Sequence, residues 1–161
     1  MAKEKEIKTN AMRSLERAGI AYRVVQYECD AFTDGVDVAH KTGIPVEQSF
    51  KTLVTQGHSG NYHVFVIPVA EELDLKAAAR AAGEKSVEML HVKDINKVTG
   101  YIRGGCSPLG MKKDYPTVID ETAILYDEIA VSGGRIGSTI LLRPEDLLRI
   151  THAQLEAITA S

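Results

Sequence analysis

The sequence predicts one mixed α/β domain over residues 1–161, a mixed sheet with helices packed around it. Three observations carry this. Alternating, β-branched segments interleave along the chain with segments of helical spacing, a pattern of neither all-α nor all-β proteins. Hairpin-like connections occur among the strands, most plainly Gly57-His-Ser-Gly60-Asn61, so the sheet should not be all parallel. At 161 residues, with 44% hydrophobic and 25% charged, the chain can bury one core without staples.

Lys8–Ala18 puts Met12 and Leu15 on one helical face, with Gly19 as the stop. Tyr22–Tyr27 alternates and is β-branched, as a strand does. Val36–Thr42 is expected as a short helix, capped by Thr33 or Asp34 and ended by Gly43. Ser49–Thr55 and Tyr62–Val69 read as neighbouring strands, and Asp74 caps an alanine-rich helix, Leu75–Ala82, closed by Gly83. Val87–His91 is expected as a short strand and Asp94–Val98 as a short helix ending at Gly100, before the turn-rich stretch Gly104–Gly110. Thr117–Asp120, Glu128–Val131 and Ser138–Leu142 read as strands. Pro144 opens a helix to about Ile150, and Thr151–Gln154 has the form of a capping box opening a last short helix. No internal repeat or linker interrupts this order.

No stretch approaches the ~18 apolar residues of a membrane span. The start, Met1–Glu6, is charged with no apolar run behind it, so no secretory signal is expected. Two cysteines, Cys29 and Cys106, make no disulfide framework. A cytoplasmic protein with reduced thiols is the expectation. The net charge of −3 bears on partners, because proteins that grip nucleic acid unaided carry a basic excess. Either no polynucleotide is bound, or a local basic patch touches a small part of one, or a partner does the gripping.

Lys51 is the most telling single residue. It lies between Phe50 and Thr52-Leu53-Val54 on an otherwise apolar strand, where its charge could serve a carbonyl or anionic oxygen at low local dielectric. A solvated lysine at a strand edge is the commoner occupant of such a position. Two glycine pairs come next, Gly104-Gly105 ahead of Cys106-Ser107-Pro108, and Gly133-Gly134 within Ser132–Arg135. Paired glycines let main-chain N–H groups approach a ligand, and they also make ordinary tight turns. Neither pair fits a phosphate-binding loop or a dinucleotide fingerprint.

A catalytic thiol needs an activating base or positive surroundings. No histidine motif points to Cys106, and a small buried apolar role fits it better. Ser107 and Ser132 lack a nucleophile-elbow context. The five histidines have no zinc spacing, so neither metal nor cofactor is expected. Arg103, Lys112, Lys113 and Arg135 flank the glycine turns, as a positive rim or as scattered solvated charges.

These pieces in this order resemble the YbaK family of aminoacyl-tRNA deacylases, relatives of the editing domain of bacterial prolyl-tRNA synthetases. The matching text is Gln48-Ser-Phe-Lys-Thr-Leu53, Leu73-Asp-Leu-Lys-Ala-Ala78, Thr99-Gly-Tyr-Ile-Arg-Gly-Gly-Cys-Ser-Pro-Leu-Gly110 and Val131-Ser-Gly-Gly134, within a likeness from about Tyr22 to about Ile150. The resemblance implies a mixed, barrel-like sheet surrounded by helices. It implies that Lys51, Gly104 and Gly105 form the catalytic pocket, with Tyr27 and Ser132 matching family pocket positions. Phe50, Gly133, Arg103 and Arg135 complete the expected substrate-binding set. Cys106 stands where relatives carry aliphatic residues and is not taken as catalytic.

The activity implied is hydrolysis of Cys-tRNA(Pro), assisted by the substrate's own thiol. Its partners would be the tRNA acceptor end and a prolyl-tRNA synthetase that supplies tRNA identity. Clearance of alanine or a broader set of residues by water attack is the alternative within enzymes. A non-catalytic amino-acid or nucleotide-binding module is the alternative outside them.

Overall fold

The computed structural model describes residues 8–29 and 34–160. Capping chemistry sets most element boundaries. Helix α1 (Asn10–Arg17) begins where the Thr9 hydroxyl accepts from the Met12 amide at 3.2 Å, so Lys8 stays outside it. Strand β1 is Arg23–Gln26. Helix α2 (Gly35–Thr42) is capped by Asp34, whose carboxylate accepts from the Asp37 amide at 2.9 Å; Thr33 lies outside the described residues. Strands β2 (Phe50–Gly57) and β3 (Tyr62–Pro68) form the expected hairpin. Helix α3 (Leu75–Ala82) is capped by Asp74 and ended by Gly83.

Strand β4 (Val87–Met89) is shorter than expected because His91 becomes the N-cap of α4 (Val92–Thr99), which is correspondingly longer. Strands β5 (Thr117–Asp120), β6 (Ile129–Ser132) and β7 (Ser138–Leu142) follow, and α5 (Pro144–Thr151) starts at its proline.

The expected last helix is not formed. Thr151 does not cap a new helix: its hydroxyl donates back to the Leu147 carbonyl at 2.6 Å, and His152 turns left-handed at φ 54°. The chain then runs extended as β8 (Gln154–Glu156), parallel to β5. Burial decides this outcome, since Ile158 is fully buried and its amide donates to the Asp120 carboxylate at 3.1 Å.

The sheet is mixed, as the hairpins and crossovers suggest. One sheet has the order β1-β7-β6, all antiparallel. The other has the order β4-β2-β3-β5-β8, with β3-β5 and β5-β8 parallel. The barrel-like arrangement implied by the resemblance is not closed: among the described residues a lone parallel bridge, Ser49 to Ala130, joins the two sheets. Strand β3 is buried on both faces, which is why its sequence reads as a continuous apolar run. Val64 and Val66 face one core with Met12, Leu15, Ile140 and Leu147, while Phe65 and Ile67 meet Ala78 and Ala79 of α3. Among the described residues no helix is long and apolar enough to cross a membrane.

The β2–β3 hairpin end is held by a carboxylate. Glu84 accepts from the Ser59 hydroxyl at 2.6 Å and the Ser59 amide at 3.1 Å, and lies 2.7 Å from His63 Nε2. The Ser59 bonds, with the His63 contact, hold its pKa down at about 2 from an ordinary 4.5. A depressed carboxylate pKa means stability that is present above 4.5 and is lost as pH falls towards 2. The advantage of the native protein over Glu84→Gln in thermal unfolding should therefore shrink across that interval. An advantage that does not change with pH would remove the carboxylate's charge from the explanation.

Candidate active site

Strand β2 has β3 along one edge, but its other edge is covered only at its ends. Strand β4 pairs with Thr55–Gly57, and the Ser49–Ala130 bridge brings β6 to the opposite end. Between them lies a cavity of about 710 Å³, lined by Ser49 and by Phe50–Val54 of β2, by Ala130–Ser132 of β6, and by residues of α2 and α4. It exists because β4 stops at Met89, where the chain turns into α4, and because β6 belongs to the other sheet.

Lys51 lines this cavity and is half-buried. Among the described residues its ammonium makes no ion pair or hydrogen bond. Phe50 forms apolar wall, and Tyr27 lines the cavity from the end of β1, where its amide donates to the Gly137 carbonyl at 2.9 Å. Ser132 reaches the wall from β6, its hydroxyl accepting from the Gly134 amide at 3.1 Å. Gly104 and Arg103 line the cavity from the loop after α4, both exposed.

The remaining expected site residues lie elsewhere. Gly105 is buried behind the cavity wall, and Gly133 likewise does not line it. Arg135 is exposed outside the wall. Lys112 donates to the Lys97 carbonyl at the end of α4, 3.3 Å away, and neither it nor Lys113 lines the cavity. The positive rim at the cavity is thus Lys51 with Arg103.

The two glycine turns do converge. A Cβ on Gly105 would stand 2.9 Å from Arg135 Cα, so the absence of a side chain is what lets the loops touch main chain to main chain. Helix α1 clamps the same region, since the Thr9 hydroxyl donates to the Gly133 carbonyl at 2.6 Å. Tyr101 adds a bond from its hydroxyl to the Leu109 carbonyl, also 2.6 Å.

The chain that forms this cavity has known relatives. A family model described as the aminoacyl-tRNA editing domain covers residues 31–150. The chain belongs to the aminoacyl-tRNA editing domain family. It is 47% identical over 161 residues to EbsC of Enterococcus faecalis (strain ATCC 700802 / V583), a candidate Cys-tRNA(Pro)/Cys-tRNA(Cys) deacylase by its name. That match takes in 99% of this chain and 98% of the relative. It is 27% identical to ProXp-y of Escherichia coli (strain K12), named as a multifunctional Ser/Thr-tRNA deacylase, over 96% of this chain and 94% of that one. Among solved structures, a candidate trans-editing enzyme for prolyl tRNA synthetase superposes with a TM-score of 0.84 at 27% identity, over 94% of this chain and 96% of that one. The hypothetical protein APE2540 shares the fold at 20% identity, with a TM-score of 0.85 over 94% of this chain and 99% of its own.

Among the described residues of this editing domain no side chain is arranged as an activated nucleophile. Cys106 lines the cavity, but burial pushes its thiol up to about 12, opposed only by a hydrogen bond with Thr99, so it stays protonated at neutral pH. The arrangement instead offers one ammonium, main-chain groups at Gly104, and hydroxyls at Ser132 and Thr139 in a partly apolar enclosure. Such a site can bind and polarise a carbonyl.

Sequence reasoning missed Thr52, Ser138 and Thr139, which also line the cavity. The alternation of β2 turns Thr52 to the face opposite Lys51, so its place in the wall comes from the open strand edge and has no local signal. Nothing local marks Ser138 or Thr139, whose place in the wall depends on β7 lying beside β6.

Proposed function

We propose that this editing domain removes cysteine from mischarged Cys-tRNA(Pro). The observation that carries the reading is the Lys51 ammonium, half-buried in the cavity and without a carboxylate partner among the described residues. The 47% identity to EbsC supports the choice of substrate. The residues act as one domain over 1–161, in the cytoplasm where aminoacyl-tRNA is used.

The aminoacyl ester is already activated, so positioning and charge stabilisation suffice. Lys51 and the Gly104 main chain face the ester carbonyl, and Gly105 holds its loop against Arg135 so that Gly104 keeps its place. Phe50, Tyr27 and Ser132 enclose the amino acid, and Ser132 is held by the Gly133-Gly134 turn. Arg103 meets the acceptor end, with Arg135 available to phosphates farther out.

The substrate thiol loses its proton and its sulfur bonds to the carbonyl carbon. The ester C–O bond then breaks, and a proton ends on the terminal ribose hydroxyl. The thiolactone so formed is opened by water. A neutral Cys106 is compatible with this, because the nucleophile belongs to the substrate. Proline and cysteine are close in size, so a pocket separates them poorly; a required thiol separates them by chemistry. In this reading tRNA identity comes from a prolyl-tRNA synthetase partner, an arrangement that the family resemblance implies and a net charge of −3 permits.

Release rates from cysteinyl-, alanyl- and prolyl-tRNA(Pro) test this. Cysteinyl-tRNA should be cleared fastest and prolyl-tRNA spared. Equal rates on cysteinyl- and alanyl-tRNA would sink the thiol-assisted route in favour of water attack.

A further inference from the structure

Strand β2 offers the cavity more than side chains. The bonds from the Val69 amide to the Ser49 carbonyl (2.9 Å) and from the Gly57 amide to the Asn61 carbonyl (2.8 Å) set the parity of the β2–β3 ladder. Odd-numbered residues of β2 point their main-chain groups at β3, and even-numbered residues point theirs the other way. The Leu90 amide, donating to the Val54 carbonyl at 3.0 Å from that other side, agrees with this parity.

Thr52 is therefore a one-residue stretch of open strand edge, between the β6 bridge at Ser49 and the β4 side at Val54. Among the described residues no strand ladder pairs with Thr52 on its outward side, and no loop residue donates to its outward carbonyl or accepts from its outward amide. Its hydroxyl, Oγ1, is shielded from solvent and also has no hydrogen-bond partner. On the wall of the cavity Thr52 thus presents an unpaired hydroxyl and two main-chain groups that no ladder takes up. A buried polar group left unpaired is costly, so a residue that presents one beside two main-chain groups outside any ladder is suited to receive a ligand.

An α-aminoacyl ester carries the complement. Its amine and its carbonyl flank one carbon, as the N–H and C=O of a strand residue do. We infer that the aminoacyl group docks on Thr52 as a single added strand residue. The substrate amine donates to the Thr52 carbonyl, the Thr52 amide donates to the ester carbonyl, and the hydroxyl gives a further bond to the aminoacyl end. The Thr52 amide then joins Lys51 at the oxygen where negative charge develops. Recognition through the main chain depends on an α-amine and not on the amino-acid side chain. It separates an aminoacyl ester from other esters before the thiol chemistry selects cysteine. The inference rests on reading the cavity as an aminoacyl-ester site.

The test uses the full chain and a non-hydrolysable probe, 3′-cysteinylamino-3′-deoxyadenosine, with its 3-mercaptopropionyl counterpart lacking the α-amine. In ¹H–¹⁵N spectra the Thr52 amide resonance should move on titration with the cysteinyl amide. The counterpart should bind about tenfold more weakly, the loss of roughly one charge-assisted hydrogen bond. Thr52→Val keeps the side-chain shape and removes the unpaired hydroxyl. It should bind the cysteinyl amide several-fold more weakly and unfold at a higher temperature than the native protein, whereas loss of a merely structural residue would lower that temperature.

An unmoved Thr52 amide, or equal binding of the two probes, overturns docking on Thr52. If cysteinyl-tRNA is also hydrolysed in that case, the proposed function stands without it. Movement of the Thr52 amide in a protein that hydrolyses no aminoacyl-tRNA supports the docking and removes the catalytic reading.

Discussion

Lys51→Ala is expected to slow deacylation of Cys-tRNA(Pro) about a hundredfold, the loss that follows removal of one preorganised charge-stabilising donor. The fold should survive the change. Lys51 pairs with Ile67 through the main chain of the β2–β3 ladder, which alanine preserves. Its ammonium has no partner among the described residues that its loss would leave unpaired. Single-turnover deacylation measures the effect, with thermal unfolding to verify the fold. A folded variant that works at the native rate removes Lys51 from the chemistry.

Gly110→Ala should produce the largest loss of stability, about 3 kcal/mol, from two additive costs. Gly110 sits at φ 69°, where a side chain costs roughly 1 kcal/mol. Its new Cβ would also stand 2.6 Å from the carbonyl carbon and oxygen of Asn10. Those atoms are main chain at the first residue of α1 and cannot swing aside, so overpacking adds about 2 kcal/mol. For a domain of this size the combined cost lowers Tm by roughly 10 °C. Deacylation should also fall, because displacing α1 pulls the Thr9 hydroxyl from the Gly133 carbonyl and loosens the turn that carries Ser132. An unchanged unfolding midpoint would show that α1 moves freely and does not clamp the loops.

Much of this architecture is written in short-range chemistry. Asp34 and Asp74 cap their helices, Gly43 and Gly83 end them, and Pro144 starts α5. Each does so through its own nearby main chain, which explains why these elements can be read in order. Thr151–Gln154 shows where that reading stops. The capping-box letters are present, yet Thr151 bonds backward to Leu147 and the following residues pair with β5. The edge of β5 and the buried position of Ile158 outweigh a local signal of about 1 kcal/mol.

The candidate site divides along the same line. Lys51 stood out because a charge interrupts an apolar strand, and Gly104 because paired glycines let main-chain N–H groups approach a ligand. Gly105 carried the same signal for a different cause: its missing side chain admits Arg135, a contact between residues thirty positions apart in the sequence. Lys112 looked like part of a basic rim, but its ammonium is taken by the Lys97 carbonyl.

The mixed α/β class, most of the strands and helices, and the family are legible in the order of residues, because hydrophobic period, capping residues and contiguous motifs act over a few positions. Long-range packing settles that, among the described residues, two sheets meet at one bridge without closing, that a cavity fills the gap beside β2, and that Thr9, Gly105 and Gly133 fasten its loops. Those outcomes depend on which strand edges are left uncovered and which backbones touch, and such contacts join residues far apart along the chain.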